Sequence, residues 1–239
     1  MRSPFSKPDA GRSRQGGLHE SIMALLTHNL MHFGLMTATS PGLINKTVTL
    51  LRKQGPILRL SELLRRGVHR DTLWAMRDQG LVEQVSRGLY RLADGEPLAQ
   101  PDLVTVSMRV PGAVICLVSA LALHELTTQI PHAVDIALKQ GRRRPRIEHP
   151  PIRVYWWSTA ALTEGIEKRS FGGVEVLVTN PERSVADAFR YRNRLGVDLA
   201  VEALRAWKAR RGARPEKLLT AARAVRAEKV IRPYLEALL

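Results

Sequence analysis

Gly55, Gly67, Gly80 and Gly88 break residues 46–93 into pieces too short for anything but brief helices and strands. Glycine closes helices because it alone enters the left-handed conformation of the last turn without penalty. Lys46–Gln54, with Val48, Leu50 and Leu51 on its apolar side, reads as a helix ended by Gly55-Pro56. Ile57-Leu58 reads as a brief strand, and Ser61–Arg66 as a second helix stopped at Gly67. After the turn Gly67-Val68-His69, a third helix is expected over Arg70–Gln79, ending at Gly80. The runs Leu81–Val85 and Leu89–Leu92 flank Ser86-Arg87-Gly88 and read as a hairpin. Helix, helix, glycine turn, helix, hairpin is the order of a winged helix-turn-helix.

Asp94-Gly95-Glu96-Pro97 then serves as a linker, which places a boundary near residue 98. Beyond it, helices are expected over Leu98–Val110 and Ile115–Leu126, the second apolar nearly all round and therefore buried. Val134–Leu138, Ile152–Trp157 and Val174–Val178 are rich in β-branched and aromatic residues and read as strands. Asn180-Pro181-Glu182 supplies an N-cap, a first-turn proline and a first-turn acid for a helix through Arg192. Further helices are expected over about 197–211, 215–227 and 231–238. The fold class is α+β. An N-terminal winged helix-turn-helix domain (46–97) is followed by a mixed α/β C-terminal domain (98–239) with a small sheet and several helices. Residues 1–45 are expected to form a mobile, partly helical leader, with Met31 and Met36 as alternative starts.

Charge narrows the partners. The formal net charge is +15 and the pI near 10.9, and the basic excess runs through the whole chain. Such a surface steers toward polyanions and makes affinity depend on salt. The single cysteine, Cys116, excludes an internal disulfide framework and a cysteine-based zinc cluster, which suits a reducing cytoplasm. No apolar run reaches membrane-spanning length. Ile22–Leu26 follows several basic residues, as in a secretory leader, but Thr27, His28 and Asn29 cut it short.

A recognition helix buries one face on its own domain and offers its N-terminal residues to base edges. At 100° per residue, Leu73, Met76 and His69 fall on the inner side of the third helix. Arg70 and Arg77 flank them within reach of phosphates, and Asp71, Trp74, Ala75 and Asp78 point outward. The candidate DNA contacts are therefore His69, Arg70, Thr72, Trp74 and Arg77, with Arg87 at the wing tip. A second set, Arg142, Arg143, Arg144 and Arg146, lies on a loop between two strands and offers a further phosphate anchor.

Catalytic patterns are poor. His124-Glu125 opens like a zinc-protease motif, but Thr128 stands where the second histidine belongs. Ser119 lacks the Gly-x-Ser-x-Gly elbow. Gly172-Gly173 hints at a nucleotidyltransferase glycine pair without the aspartates downstream. The alternative kept open is a nucleic-acid enzyme targeted by the winged helix, with an endonuclease-like C-terminal domain built around Asp135 and Lys139. No cofactor or metal motif is present, and His124 reads as a core histidine.

Three segments together resemble the AbiEi family of type IV antitoxins and related transcriptional regulators. They are Leu60–Val68 continuing through Gly80–Tyr90, Ser119–Leu126 with Ile130-Pro131, and Pro181–Arg192. The resemblance covers about residues 46–239. It implies a repressor bound to repeated operator DNA in its own promoter, and a functional partner that is a nucleotidyltransferase-like toxin without a required direct complex. It also implies that basic faces on both domains touch DNA.

Overall fold

The computed structural model describes residues 40–238, so the helix expected over 18–35 lies outside the described residues. Helix α1 (Pro41–Gln54) opens with proline at its first position, where the fixed φ suits a helix and the missing N–H costs nothing. It begins five residues before Lys46 and takes in Pro41–Asn45, placed in the leader by sequence. Its inward face starts only at Thr47 and Leu51, so the apolar spacing carried no sign of the earlier turns.

Strand β1 (Leu58–Arg59), α2 (Leu60–Arg65), α3 (Arg70–Asp78), β2 (Val82–Ser86) and β3 (Leu89–Leu92) follow. The three strands form an antiparallel sheet in the order β1-β3-β2. Leu51, Leu58, Leu63, Leu73, Met76 and Tyr90 close the core beneath it. Burying each large aliphatic side chain here contributes about 2 kcal/mol.

The remainder is mixed α and β. It comprises α4 (Pro101–Arg109), β4 (Val114–Ile115), α5 (Leu117–Leu123), β5 (Val134–Lys139), β6 (Ile152–Trp157), a 3-10 turn (Ala160–Leu162), β7 (Ile166–Phe171) and β8 (Val174–Thr179). Helices α6 (Pro181–Arg190), α7 (Arg192–Leu195), α8 (Val197–Lys208), α9 (Pro215–Ala224) and α10 (Glu228–Glu236) complete it. The sheet runs β6-β5-β4-β8-β7, with β5–β6 and β4–β8 parallel and the other two pairs antiparallel.

Two strands depart from the expectation. Val114-Ile115 is the central strand rather than a helix start, because a run buried on every side shows no period to separate the two. Ile166–Phe171 is an edge strand whose middle, Lys168-Arg169-Ser170, is exposed and polar, a composition that hides strand character. Its partner β8 is reached through Gly172-Gly173, with φ of +57° and +79°. A two-residue hairpin turn of this hand needs positive φ at both positions, so the glycine pair is a turn and not a phosphate-binding motif.

The two parts share one apolar seam. Ile57 and Leu89 are buried in the same cluster as Val104, Val106, Ile115 and Val178, with Val85 packed against it. A bulge between Gln84 and Ser86 takes Val85 out of strand register with β3, which turns its side chain toward this cluster. A side chain at Gly172 would run into Pro56. Polar bonds reinforce the seam: Arg59 donates to the Met108 carbonyl, Arg109 to the Arg87 carbonyl and Ser86 to the His149 carbonyl.

The helical end rests on a buried ion pair. Asn180 accepts from the Arg183 N–H at 2.8 Å and caps α6 as expected. Arg183 Nε donates to Asp187 at 2.9 Å, while its other nitrogens reach the carbonyls of Glu164 (2.7 Å) and Ala161 (3.1 Å). Its guanidinium lies 4.8 Å from the Trp157 ring centre. His124 bonds the Thr179 carbonyl at 2.6 Å and is buried, as read from sequence. Among the described residues no helix is long and apolar enough to cross a membrane.

Arg183 and Asp187 are 2% and 1% exposed, and Asp187 Oδ1 has no partner. Removing one partner of such a pair leaves an uncompensated buried charge. Arg183→Met should therefore cost about 3–5 kcal/mol in urea unfolding followed by circular dichroism. Arg183→Met with Asp187→Leu should recover most of it. Equal losses in the single and double variants would show that the pair's charge is not what matters.

Candidate nucleic-acid interface

Helix α3 is built to present one face. Thr72, Leu73 and Met76 are buried against the first sheet, whereas Arg70, Asp71, Trp74, Arg77 and Asp78 are exposed. Trp74 is 44% exposed, a large aromatic surface left uncovered. The helix starts at Arg70 with extended backbone at His69 (φ −77°, ψ 150°) and no side-chain cap. The N–H groups of its first turn thus face outward unpaired by a side chain, and the positive end of the helix dipole lies there.

Two candidate residues change places relative to the sequence reading. Thr72, expected as a groove contact, is only 5% exposed and its side chain lies in the core. His69, assigned to the inner face, is exposed. The 100° wheel fails at position 69 because that residue precedes the helix, and Thr72 occupies the inner position one turn before Met76. Arg77 is drawn toward Asp78, with Nε and Nη2 at 3.1 and 2.9 Å from the same carboxylate oxygen. Its charge is largely compensated, in an exposed pair of small energetic weight.

Arg70 and Arg87 come together. They line one groove of about 360 Å³ with Arg59 from β1 and Arg109 from the end of α4. Arg59 and Arg109 were not singled out by sequence, since each is an isolated base in an apolar context and only the docking of α4 on the hairpin brings them in. Leu60 N–H donates to the Gly88 carbonyl at 2.8 Å, fixing the turn that carries Arg87. No carboxylate lines this groove.

The basic loop adjoins the hairpin through the Ser86–His149 contact. Arg142 is a strut: it donates to the Pro111 carbonyl at 2.9 Å, and its own carbonyl accepts from Trp156 Nε1 at 3.2 Å. Arg143, Arg144 and Arg146 are exposed and have no carboxylate within ion-pair distance among the described residues. Arg70, Arg87 and this trio therefore occupy positions that are both cationic and open.

Asp135, the residue around which an endonuclease-like site was considered, is fully buried. Its Oδ2 accepts from the Val118 N–H at 3.2 Å and its Oδ1 lies 3.4 Å from Arg153. Lys139, on the same strand, is exposed. Among the described residues no three His, Cys, Asp or Glu side chains converge on a metal-sized site. Asp135 is thus a structural acid that ties β5 to the start of α5.

Residues 45–93 match the family model described as "Transcriptional regulator, AbiEi antitoxin". This span holds most of α1 and all of the first sheet, α2 and α3, and the family resemblance read from sequence is shown there. Among solved structures, the crystal structure of the RV2827C protein from Mycobacterium tuberculosis is similar over 82% of this chain and 81% of that chain. The TM-score is 0.44 and the identity 14%. No curated protein matches.

Burial raises the Asp135 pKa from 3.8 to about 6, against the opposing pull of Arg153 and the Val118 N–H. A carboxyl with a raised native pKa holds its proton more tightly when folded. Its stabilising contribution is complete below the unfolded value and is lost as pH rises through about 6. Asp135→Asn should remove on the order of 3 kcal/mol of pH dependence between about pH 4 and pH 6. Urea unfolding at intervals across this range measures it, and parallel curves for the two proteins would refute the assignment.

Proposed function

We propose that this chain, whose residues 45–93 are of the AbiEi type, is a DNA-binding transcriptional regulator in which residues 46–97 act as a winged helix-turn-helix. The observation that carries the reading is α3. Its outer face stands free with Arg70 and Trp74 exposed, beside a groove of arginines and no acid. In this reading α3 lies in the major groove. Arg70 reaches a phosphate at its edge, Trp74 packs on sugar or a thymine methyl, and Arg87 at the hairpin turn meets the adjacent backbone or minor groove. His69, just ahead of the helix, is placed to contact either. Arg143, Arg144 and Arg146 extend the anchor beyond the hairpin.

The family description adds the word antitoxin. It supports the finer proposal that the chain represses its own promoter as the antitoxin of a type IV pair. Its functional partner would be a nucleotidyltransferase-like toxin, with no direct complex required and no enzymatic step by this chain. The place of action would be the cytoplasm.

Fluorescence anisotropy with a duplex from the chain's own promoter tests the reading. The full chain should bind it far more tightly than random duplex of equal length, with affinity falling steeply as salt rises. Arg70→Ala with Arg87→Ala should weaken binding at least about tenfold and lower the log–log salt slope by about 1.8, two phosphate contacts at 0.9 each. Equal affinity for promoter and random duplex would overturn the repressor reading.

A further inference from the structure

The groove where the two parts of the chain meet holds Arg59, Arg70, Arg87 and Arg109 with Ser61 and no carboxylate. Elsewhere arginines are neutralised: Arg52, Arg91 and Arg223 lie 2.7, 2.9 and 2.9 Å from acidic oxygens. None of the four groove arginines has such a partner among the described residues. Asp71, on the first turn of α3, is exposed and is not part of the lining. Four like charges gathered without a counter-charge oppose the fold at low salt, so a multivalent anion seated among them stabilises it.

The four are not equivalent. Arg59 and Arg109 are held by the carbonyls of Met108 and Arg87, which fixes their guanidinium groups before any ligand arrives. Arg109 Nε is a buried donor with no partner. Arg70 and Arg87 are exposed and have no side-chain bond among the described residues. The groove also opens at the start of α3, whose first-turn N–H groups have no side-chain cap. Two fixed cations, two adaptable ones and an uncapped nine-residue helix form a preorganised receptor for one tetrahedral anion.

We propose that this groove is a phosphate-binding site completed by the second part of the chain through Arg109, and that its natural occupant is a phosphate of the DNA backbone. The choice of DNA rests on the reading above; the phosphate site does not. The consequence is structural. Arg59 and Arg87 come from the first sheet, Arg70 from α3, and Arg109 from α4, so the anion bridges the seam and locks recognition helix, hairpin and α4 in one register.

Two measurements on the full chain test it. In the first, thermal unfolding is followed with inorganic tripolyphosphate at constant ionic strength. The wild-type melting temperature should rise with ligand and saturate, as for any ligand bound only by the native state. Arg59→Gln with Arg109→Gln, and separately Ser61→Glu, should abolish the rise. Ser61→Glu puts a carboxylate into the groove at a helix first turn, where an acid is well tolerated, so it reports even if the arginine variant folds poorly. In the second, the salt slope for promoter duplex should fall by about one phosphate contact in the arginine variant, a change that merely loosened packing would not produce.

A wild-type melting temperature indifferent to tripolyphosphate, or an equal rise in all three proteins, would overturn the phosphate site. Duplex bound with an unchanged slope in the arginine variant would overturn the DNA occupant and leave the regulator reading intact. A tripolyphosphate response without any duplex binding would uphold the site, assign it to a free polyphosphate, and defeat the regulator reading instead.

Discussion

The apolar seam formed by Ile57, Val85 and Leu89 against α4 and the second sheet decides how everything charged on this protein is arranged. Hydrophobic burial has no direction and sets only proximity. The direction comes from the bonds at its rim, where Arg59, Arg109 and Ser86 donate to the carbonyls of Met108, Arg87 and His149. Each side contributes both donors and acceptors, so sliding one part past the other would strand polar groups from both. The bulge at Val85 belongs to the same device. Without it that side chain would stay in register with its own sheet, and the hairpin would lose its hold on the second core.

That seam also explains which parts of the molecule could be read from sequence. Elements whose ends are written in local chemistry were legible: the Asn180-Pro181 start of α6, the Gly67 and Gly80 stops around α3, and the hairpin turn at Arg87-Gly88. Each is decided within a few residues by capping or turn geometry. Strands β4 and β7 were not legible, for opposite reasons. Val114-Ile115 is apolar with all its neighbours and loses its period by being central, whereas Ile166–Phe171 is polar along an exposed edge and is a strand only because β8 pairs with it.

The candidate site divides along the same line. Arg70, Trp74 and Arg87 follow from helix phase and turn position and are exposed as the pattern requires. His69 and Thr72 exchange roles because a wheel drawn from the wrong first residue misplaces the whole first turn. Arg59 and Arg109 could not have been found by any local rule. Their sequence separation is wide, and what unites them is a contact between parts of the chain that no periodicity encodes.

The interior charges show that this protein does not tolerate unpaired ions by neglect. Arg183 has Asp187, two carbonyls and the Trp157 ring. Asp135 has a backbone N–H and Arg153, and still carries a raised pKa because burial outweighs both. The open groove is the contrasting case: guanidinium groups fixed by neutral carbonyls, which orient a cation without cancelling it. A carbonyl dipole holds the group while leaving its net charge free to act at a distance. A carboxylate would serve the fold as well and would spend the charge. Arginines anchored on Met108 and Arg87 therefore keep intact the one property that a polyanion can use.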